Sequence, residues 1–171
     1  AIKHDIDKMY VILPFEKDFY EVKHKFPVEF VGHPLIDAIH NQSSFDTNTF
    51  RTENDLSEKP IIAILPGSRK QEISKMLAVM LSVVKDFPDY QFIIAGAPSQ
   101  EYAFYEQFLK NKNVHFVANK TYDLLSHATA ALVTSGTATL ETALFKVPEV
   151  VCYKGNWASY QIAKRIITLK Y

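Results

Sequence analysis

The stretch Ile-Ile-Ala-Ile-Leu-Pro-Gly-Ser-Arg, residues 61–69, is an apolar run that stops at a glycine beside a hydroxyl residue and then enters a helical pattern. The stretch Ala-Leu-Val-Thr-Ser-Gly-Thr-Ala-Thr-Leu-Glu, residues 131–141, has the same arrangement. A helix start offers unpaired backbone N–H groups and a partial positive charge, which suit an anion such as a diphosphate. Two such turns in one α/β domain predict a nucleotide-type ligand at the carboxyl edge of a parallel sheet.

Apolar runs and helical patterns alternate on both sides of these stretches. The helix at 71–85 is the clearest, because its apolar residues recur with a period of 3.6. This alternation predicts βαβ units and an α/β fold with a mostly parallel sheet covered on both faces. The predicted strands are 9–13, 28–31, 61–65, 91–95, 114–117, 130–133 and 150–153, and the predicted helices are 15–25, 71–85, 101–110, 122–127, 137–145 and 157–169.

The composition is that of an ordinary globular protein. Of the 171 residues, 47% are hydrophobic and 22% are charged, and 19 Lys and Arg balance 19 Asp and Glu. A net charge of zero gives no electrostatic basis for nucleic-acid binding. The single cysteine, Cys152, excludes an internal disulfide and fits a reducing compartment, and its apolar neighbours predict a buried structural thiol.

The polar stretch and the two ends of the chain indicate how the chain is divided into domains. Residues 40–59 are polar and are predicted to be a linker. No apolar run approaches eighteen residues, so we expect no membrane span. The tail at 157–171 is amphipathic, which fits packing on its own sheet or contact with a membrane surface, and we favour packing. Because the chain starts at Ala1 without Met and stops at Tyr171 without a clear end signal, we expect a piece of a longer polypeptide.

Gly67, Ser68 and Arg69 form the first candidate ligand contact. Glycine allows a tight turn and close approach of a ligand to the backbone. Ser68 could donate to a phosphate oxygen or cap the helix, and the guanidinium of Arg69 could bind a diphosphate through two parallel hydrogen bonds. Because Glu72 follows three residues after Arg69, a capped helix with a local Arg–Glu contact explains the same residues equally well.

Ser135, Gly136 and Thr137 form the second candidate contact, and Glu141 follows one helical turn later. The spacing does not fit a capping box, and no basic residue lies three or four positions after Glu141. A carboxylate in that place can accept both hydroxyl hydrogens of a ribose diol. The alternative is a solvated glutamate favoured by the helix dipole; we favour the ribose contact.

Standard cofactor and metal motifs are missing from the sequence. It contains no Gly-x-Gly-x-x-Gly and no Gly-x-x-x-x-Gly-Lys, which argues against a standard dinucleotide fold and a P-loop. The six histidines have no metal-site spacing. Asp5-Ile6-Asp7 is similar to the metal motif of some sugar transferases, but it precedes a strand instead of ending one, so a solvated loop is the better interpretation.

Five segments carry a resemblance to a known family. They are 11–16 (Val-Ile-Leu-Pro-Phe-Glu), 30–35 (Phe-Val-Gly-His-Pro-Leu), 65–73 (Leu-Pro-Gly-Ser-Arg-x-x-Glu-Ile), 135–141 (Ser-Gly-Thr-Ala-Thr-Leu-Glu) and 150–154 (Val-Val-Cys-Tyr-Lys). The chain resembles the lipid-A-disaccharide synthases, inverting glycosyltransferases of the GT-B fold with two Rossmann-like domains that face a cleft. The segments run in family order over nearly the whole chain, so together they are specific.

The resemblance implies an organisation and an activity. Residues 1–39 would end the N-terminal, acceptor-side domain, 40–59 would connect, and 60–171 would form the UDP-donor domain, a Rossmann-like parallel sheet with helices on both faces that is truncated at its C-terminus. The enzyme would transfer 2,3-diacylglucosamine from UDP-2,3-diacylglucosamine to 2,3-diacylglucosamine 1-phosphate, giving lipid A disaccharide 1-phosphate and UDP. It would be cytoplasmic, lie peripherally at the inner-membrane surface, need no cofactor or metal, and be able to form a homodimer.

The resemblance also implies roles for residues. Arg69, Ser68 and the amides near Gly136 and Thr137 would stabilise the charge that develops on the departing diphosphate, and Glu141 would hold the ribose. The general base is expected upstream of Ala1, so no catalytic residue is assigned and the chain alone is expected to be inactive. The full predicted binding set is Gly67, Ser68, Arg69, Ser135, Gly136, Thr137 and Glu141.

Two alternatives stay open at this point. One is another GT-B enzyme, such as a UDP-N-acetylglucosamine 2-epimerase or the peptidoglycan N-acetylglucosaminyltransferase, although the glycine-rich signatures of those enzymes are not seen. The other is a non-catalytic nucleotide-binding α/β module, which would bind its ligand tightly without a second domain.

Overall fold

The computed structural model of the chain describes residues 2–40, 47–110, 113–154, 161 and 165. Within it the chain divides into two compact units, Ala1–Ser44 and Phe45–Tyr171. The helix predicted at 157–169 falls outside the described residues, apart from Gln161 and Arg165.

The first unit holds a two-stranded parallel sheet and short helices. The carboxylate of Glu16 accepts hydrogen bonds from the backbone N–H groups of Ile12 and Leu13, at 3.1 and 2.8 Å, which fixes the turn from the first strand into the second helix. The predicted strands are present but shorter than expected. The elements are α1 (Ile2–Asp5), β1 (Tyr10–Val11), α2 (Pro14–Asp18) with a π-helical continuation (Phe19–Lys23), β2 (Glu29–Phe30) and α3 (Pro34–His40).

The second unit is built on a parallel sheet of five strands. The strands are β3 (Ile61–Leu65), β4 (Gln91–Gly96), β5 (Val114–Ala118), β6 (Ala128–Thr134) and β7 (Glu149–Cys152), and their order in the sheet is β5-β4-β3-β6-β7. The chain winds outward from β3 to β5 and then crosses to β6 on the other side of β3. The loops after β3 and β6 therefore lie side by side at the carboxyl edge, where such sheets bind ligands.

Helices cover both faces of this sheet, which confirms the predicted α/β fold with a parallel sheet. The apolar face predicted for the 71–85 helix is buried at Ile73, Met76, Leu77, Met80 and Leu81. Its last apolar residue, Val84, lies beyond the end of α5 and is half-buried. On the opposite face, Leu124 and Leu125 pack with alternate residues of the same strands. The helices are α4 (Thr47–Glu53), α5 (Lys70–Ser82) with a 3-10 turn (Val84–Asp86), α6 (Tyr102–Leu109), α7 (Thr121–His127) and α8 (Thr137–Leu144).

The polar stretch at 40–59 contains a helix that its composition did not indicate. Helix α4 buries Phe50 in the core of the second unit, at 5% exposure. The guanidinium of Arg51 donates to the backbone carbonyls of Ser57 and Lys59. A seven-residue helix can pack through one large apolar side chain, so a polar composition alone does not exclude it.

Cys152 is half-buried, so the prediction of a buried thiol is wrong in degree. It lies in β7, at one of the two edges of the five-stranded sheet, where its neighbours Val150 and Val151 are more than half exposed. Partial burial still raises the pKa of the Cys152 thiol above its usual range. The apolar run predicted a strand that is covered on all sides, but a strand at the edge of a sheet has a neighbouring strand on one side only.

Tyr105 connects the core to the carboxyl edge, and we predict that its hydroxyl stabilises the fold. The side chain is fully buried, and its oxygen accepts a hydrogen bond from the Ala97 N–H at 2.9 Å. In Tyr105→Phe that partly buried N–H loses its acceptor, so we expect the free energy of unfolding to fall by about 1–2 kcal/mol in urea titrations. Tyr102→Phe, at a half-exposed ring, is the matched control. Equal urea midpoints for the two variants would contradict the prediction.

Candidate nucleotide-binding site

A cavity of about 470 Å³ lies between the loops that follow β3 and β6. Residues of both predicted turns line it, together with residues from the loop after β4 and from the start of α7. The structure therefore brings the two turns to one site, as the strand order requires. All seven residues predicted to contact a ligand lie in its lining: Gly67, Ser68, Arg69, Ser135, Gly136, Thr137 and Glu141.

Gly67 makes the first turn possible. Its φ of +104° lies in the region that disfavours side chains, so any other residue would be strained there. A Cβ atom at this position would also stand 3.0 Å from Glu72 Oε2 and 3.1 Å from Glu72 Cβ. The turn therefore needs glycine for its backbone conformation and for the close passage of the Glu72 side chain.

Helix α5 begins one residue later than a Ser68 cap would require. Arg69, in an extended conformation, takes the capping position, and Glu72 Oε2 accepts weakly from the Arg69 N–H at 3.4 Å. The interpretation of Ser68 as the cap is therefore wrong. Its carbonyl instead accepts hydrogen bonds from Ser99 Oγ and Gln100 Nε2, at 3.0 and 3.4 Å, which ties the first turn to the loop after β4.

The local Arg–Glu contact considered from the sequence is present. Arg69 Nη1 lies 2.9 Å from Glu72 Oε1, and this hydrogen bond is the main reason that the pKa of Glu72 falls below its usual range. The Arg69 side chain is nevertheless 80% exposed, and an exposed ion pair stabilises a fold little. Since a guanidinium has five N–H donors, Arg69 keeps capacity for an anionic ligand.

The second turn presents the start of α8. The Ser135 N–H is used by the sheet, because it donates to the Cys152 carbonyl at 3.1 Å. The next residue, Gly136, caps the helix, and its carbonyl accepts from Thr139 N and Thr139 Oγ1 at 3.1 and 2.7 Å. No atom lies within 4 Å of the point where a Gly136 Cβ would stand, so the space beside the cap is open. The first N–H groups of a helix have no acceptor within the helix.

Glu141 has a partner that the sequence did not reveal. Tyr122 Oη donates to Glu141 Oε1 at 2.8 Å, and the Tyr122 ring packs against Phe145 with the centroids 5.4 Å apart. Burial and this hydrogen bond raise the pKa of Tyr122 to about 12. Local spacing in the sequence indicates only partners one helical turn from Glu141. The position of Tyr122 after β5 could have indicated this contact, since the loop after β5 opens on the same edge of the sheet.

Across 2–40, 47–110, 113–154, 161 and 165, no three His, Cys, Asp or Glu side chains are arranged to hold a metal ion. In the same residues, no helix has the length and apolar character needed to cross a bilayer. That the reaction needs no metal stays a prediction.

The comparison with known proteins covers the whole chain. A family model described as lipid-A-disaccharide synthetase matches residues 1–171. The chain belongs to the lipid-A-disaccharide synthetase family. This confirms the resemblance drawn from the five sequence segments.

Individual members of the lipid-A-disaccharide synthetase family are similar along the same length. The chain is 38% identical to a lipid-A-disaccharide synthase of Idiomarina loihiensis, in an alignment that covers 97% of this chain and 45% of that protein. It is 38% identical to lipid-A-disaccharide synthase 1 of Legionella pneumophila strain Paris (99% and 45%) and 36% identical to the synthase of Pseudomonas entomophila (99% and 46%). The chain thus spans about half the length of the curated relatives it matches.

Proposed function

We propose that the whole protein is a lipid-A-disaccharide synthase and that this chain supplies its donor-binding part. The reaction would transfer 2,3-diacylglucosamine from its UDP derivative to 2,3-diacylglucosamine 1-phosphate with inversion, giving the β-1,6-linked disaccharide 1-phosphate and UDP. Membership of the family and the site geometry support this proposal. The lipid substrates suggest that the enzyme works in the cytoplasm at the inner-membrane surface, and a homodimer is compatible with the family.

The cavity between two helix starts is the observation that carries the proposal. A diphosphate in it would meet the first N–H groups of α8 on one side and the Arg69 guanidinium on the other. As the bond from sugar to UDP breaks, negative charge grows on the diphosphate. Fixed N–H groups and a cation stabilise such charge more than they stabilise the bound substrate, which lowers the barrier. Ser68 and Ser135 would add hydroxyl donors from the two turns.

Glu141 would orient the nucleoside. One of its oxygens is occupied by Tyr122, and among the described residues no other hydrogen bond reaches this carboxylate. A carboxylate offers about four lone-pair positions, so it can still accept from the two hydroxyls of a ribose. This contact would set the ribose at a fixed distance from the start of α8, on which Glu141 also lies.

A general base for the acceptor hydroxyl is not assigned to this cavity. Its two carboxylates have other roles in this proposal, because Glu72 pairs with Arg69 and Glu141 holds the ribose. We therefore expect the 171-residue chain alone to form no disaccharide when both lipid substrates are supplied. Product detected by mass spectrometry above a no-protein blank would contradict this prediction.

Titration with UDP tests the proposed site. We expect Arg69→Ala and Glu141→Ala each to weaken binding by about 1–3 kcal/mol, or roughly 5- to 150-fold in Kd by calorimetry, because each removes a hydrogen bond to or from a charged group. Lys75→Ala and Glu106→Ala serve as controls, because they likewise remove one positive and one negative charge, but at exposed positions outside the cavity lining. Equal UDP affinity in all five proteins would overturn the assignment of the site.

A further inference from the structure

We propose that Tyr122 is a positioning residue for the nucleotide ribose, acting through Glu141. The inference rests on the proposed function and deepens it, because it adds a residue that sets how the ribose diol is recognised. Tyr122 lies on α7 and Glu141 on α8, so the contact joins two separate helices across the cavity lining. The hydroxyl of Tyr122 donates to one carboxylate oxygen of Glu141, and among the described residues no hydrogen bond reaches the other oxygen of this cavity-lining side chain.

The surroundings of Tyr122 fit a fixed donor. Its ring is half-buried and packs against Phe145, so its hydroxyl has little freedom to turn away from Glu141 Oε1 at 2.8 Å. Because burial and the contact with Glu141 raise the pKa of Tyr122 to about 12, the phenol is protonated near neutral pH and is a donor there. A glutamate side chain otherwise loses rotamer entropy when a ligand immobilises it.

If Tyr122 holds Glu141 in its binding orientation, ligands that carry both ribose hydroxyls should bind more tightly. With Glu141 held in its binding geometry before the ligand arrives, the ordering cost is removed from the binding step. Tyr122 does not need to touch the ligand for this effect. Its contribution should therefore be present for ligands that carry the ribose hydroxyls and absent for ligands that lack them.

The experiment compares UDP with 2′,3′-dideoxy-UDP in wild type, Tyr122→Phe, Glu141→Ala and the double variant. Phenylalanine keeps the ring contact with Phe145 and removes the hydroxyl only. We expect Tyr122→Phe to weaken UDP binding about fivefold and to leave the dideoxy ligand unchanged. In the Glu141→Ala background, which has no side-chain acceptor for the Tyr122 hydroxyl, the additional loss caused by Tyr122→Phe should disappear. Tyr102→Phe, at an exposed ring outside the lining, is the control for a lost hydroxyl.

Each outcome separates the inference from the proposed function. Equal losses for UDP and the dideoxy ligand in Tyr122→Phe would indicate a merely structural role and overturn the inference. Wild-type UDP affinity in Tyr122→Phe, together with weakened binding in Glu141→Ala, would also overturn it while leaving the nucleotide site intact. No UDP binding by wild type would overturn both. Selective loss for UDP with coupling to Glu141 supports the inference.

Discussion

Gly67→Ala is expected to destabilise the second unit by about 3 kcal/mol and to weaken UDP binding more than tenfold. Part of the cost is conformational, because φ at this position is +104°. The rest is steric, because the new Cβ would stand 3.0–3.1 Å from two atoms of Glu72. When Glu72 moves, Arg69 loses the partner that now holds it beside the cavity. Urea unfolding and UDP calorimetry on the same sample measure both effects.

Gly32→Ala is the matched control for this prediction. Gly32 also has a positive φ, +83°, but no atom lies within 4 Å of its Cβ position, and it does not line the cavity. It therefore isolates the backbone strain from the contact with Glu72. UDP affinity should be unchanged in Gly32→Ala. The explanation fails if Gly67→Ala binds UDP as well as Gly32→Ala does.

Gly96→Ala is expected to lower the free energy of unfolding by about 1–3 kcal/mol, since the new methyl group would collide with the half-buried ring of Phe116. Gly96 ends β4, and its Cβ position overlaps the far end of the Phe116 ring, with Cε2 at 2.8 Å. Phe116 has little room to retreat, because the rings of Tyr102 and Tyr105 pack against it at 5.1 and 4.9 Å. The measurement is the urea midpoint of the purified variant.

A second substitution decides whether the Phe116 ring causes the loss. Phe116→Leu shortens the side chain that occupies the Cβ position of Gly96, so the double variant Gly96→Ala/Phe116→Leu should be more stable than the sum of the two single losses predicts. Additive losses would show that the ring contact is not the cause. Neither residue lines the cavity, so UDP affinity should stay close to wild type in each folded variant.

The fold could be predicted from the sequence where periodicity and burial agree. Helix α5 has its apolar residues on one face, and the inner strands are apolar runs because helices cover both faces of the sheet. Helix α4 was missed because it packs through Phe50 while its other side chains are polar. Cys152 is less buried than predicted, because an apolar run does not reveal whether its strand is central or at an edge.

The site could be predicted only in its sequence-local parts. Both turns, and the Arg69–Glu72 contact that was one of two interpretations, follow from residues within one helical turn of each other. The pairing of Tyr122 with Glu141 joins residues 19 positions apart and depends on where α7 and α8 pack, which no local pattern encodes. The capping position is Arg69 and not Ser68, because the backbone of Arg69 is still extended immediately before the helix begins.

The central place of β3 has a consequence for biosynthesis. β3 pairs with β4 on one side and with β6 on the other, and β6 leaves the ribosome after β4 and β5. Until β6 emerges, one side of β3 is an apolar strand with unpaired backbone groups, the kind of edge to which other nascent chains add. Between the synthesis of β5 and that of β6, the growing domain therefore has an open strand edge that β6 later covers.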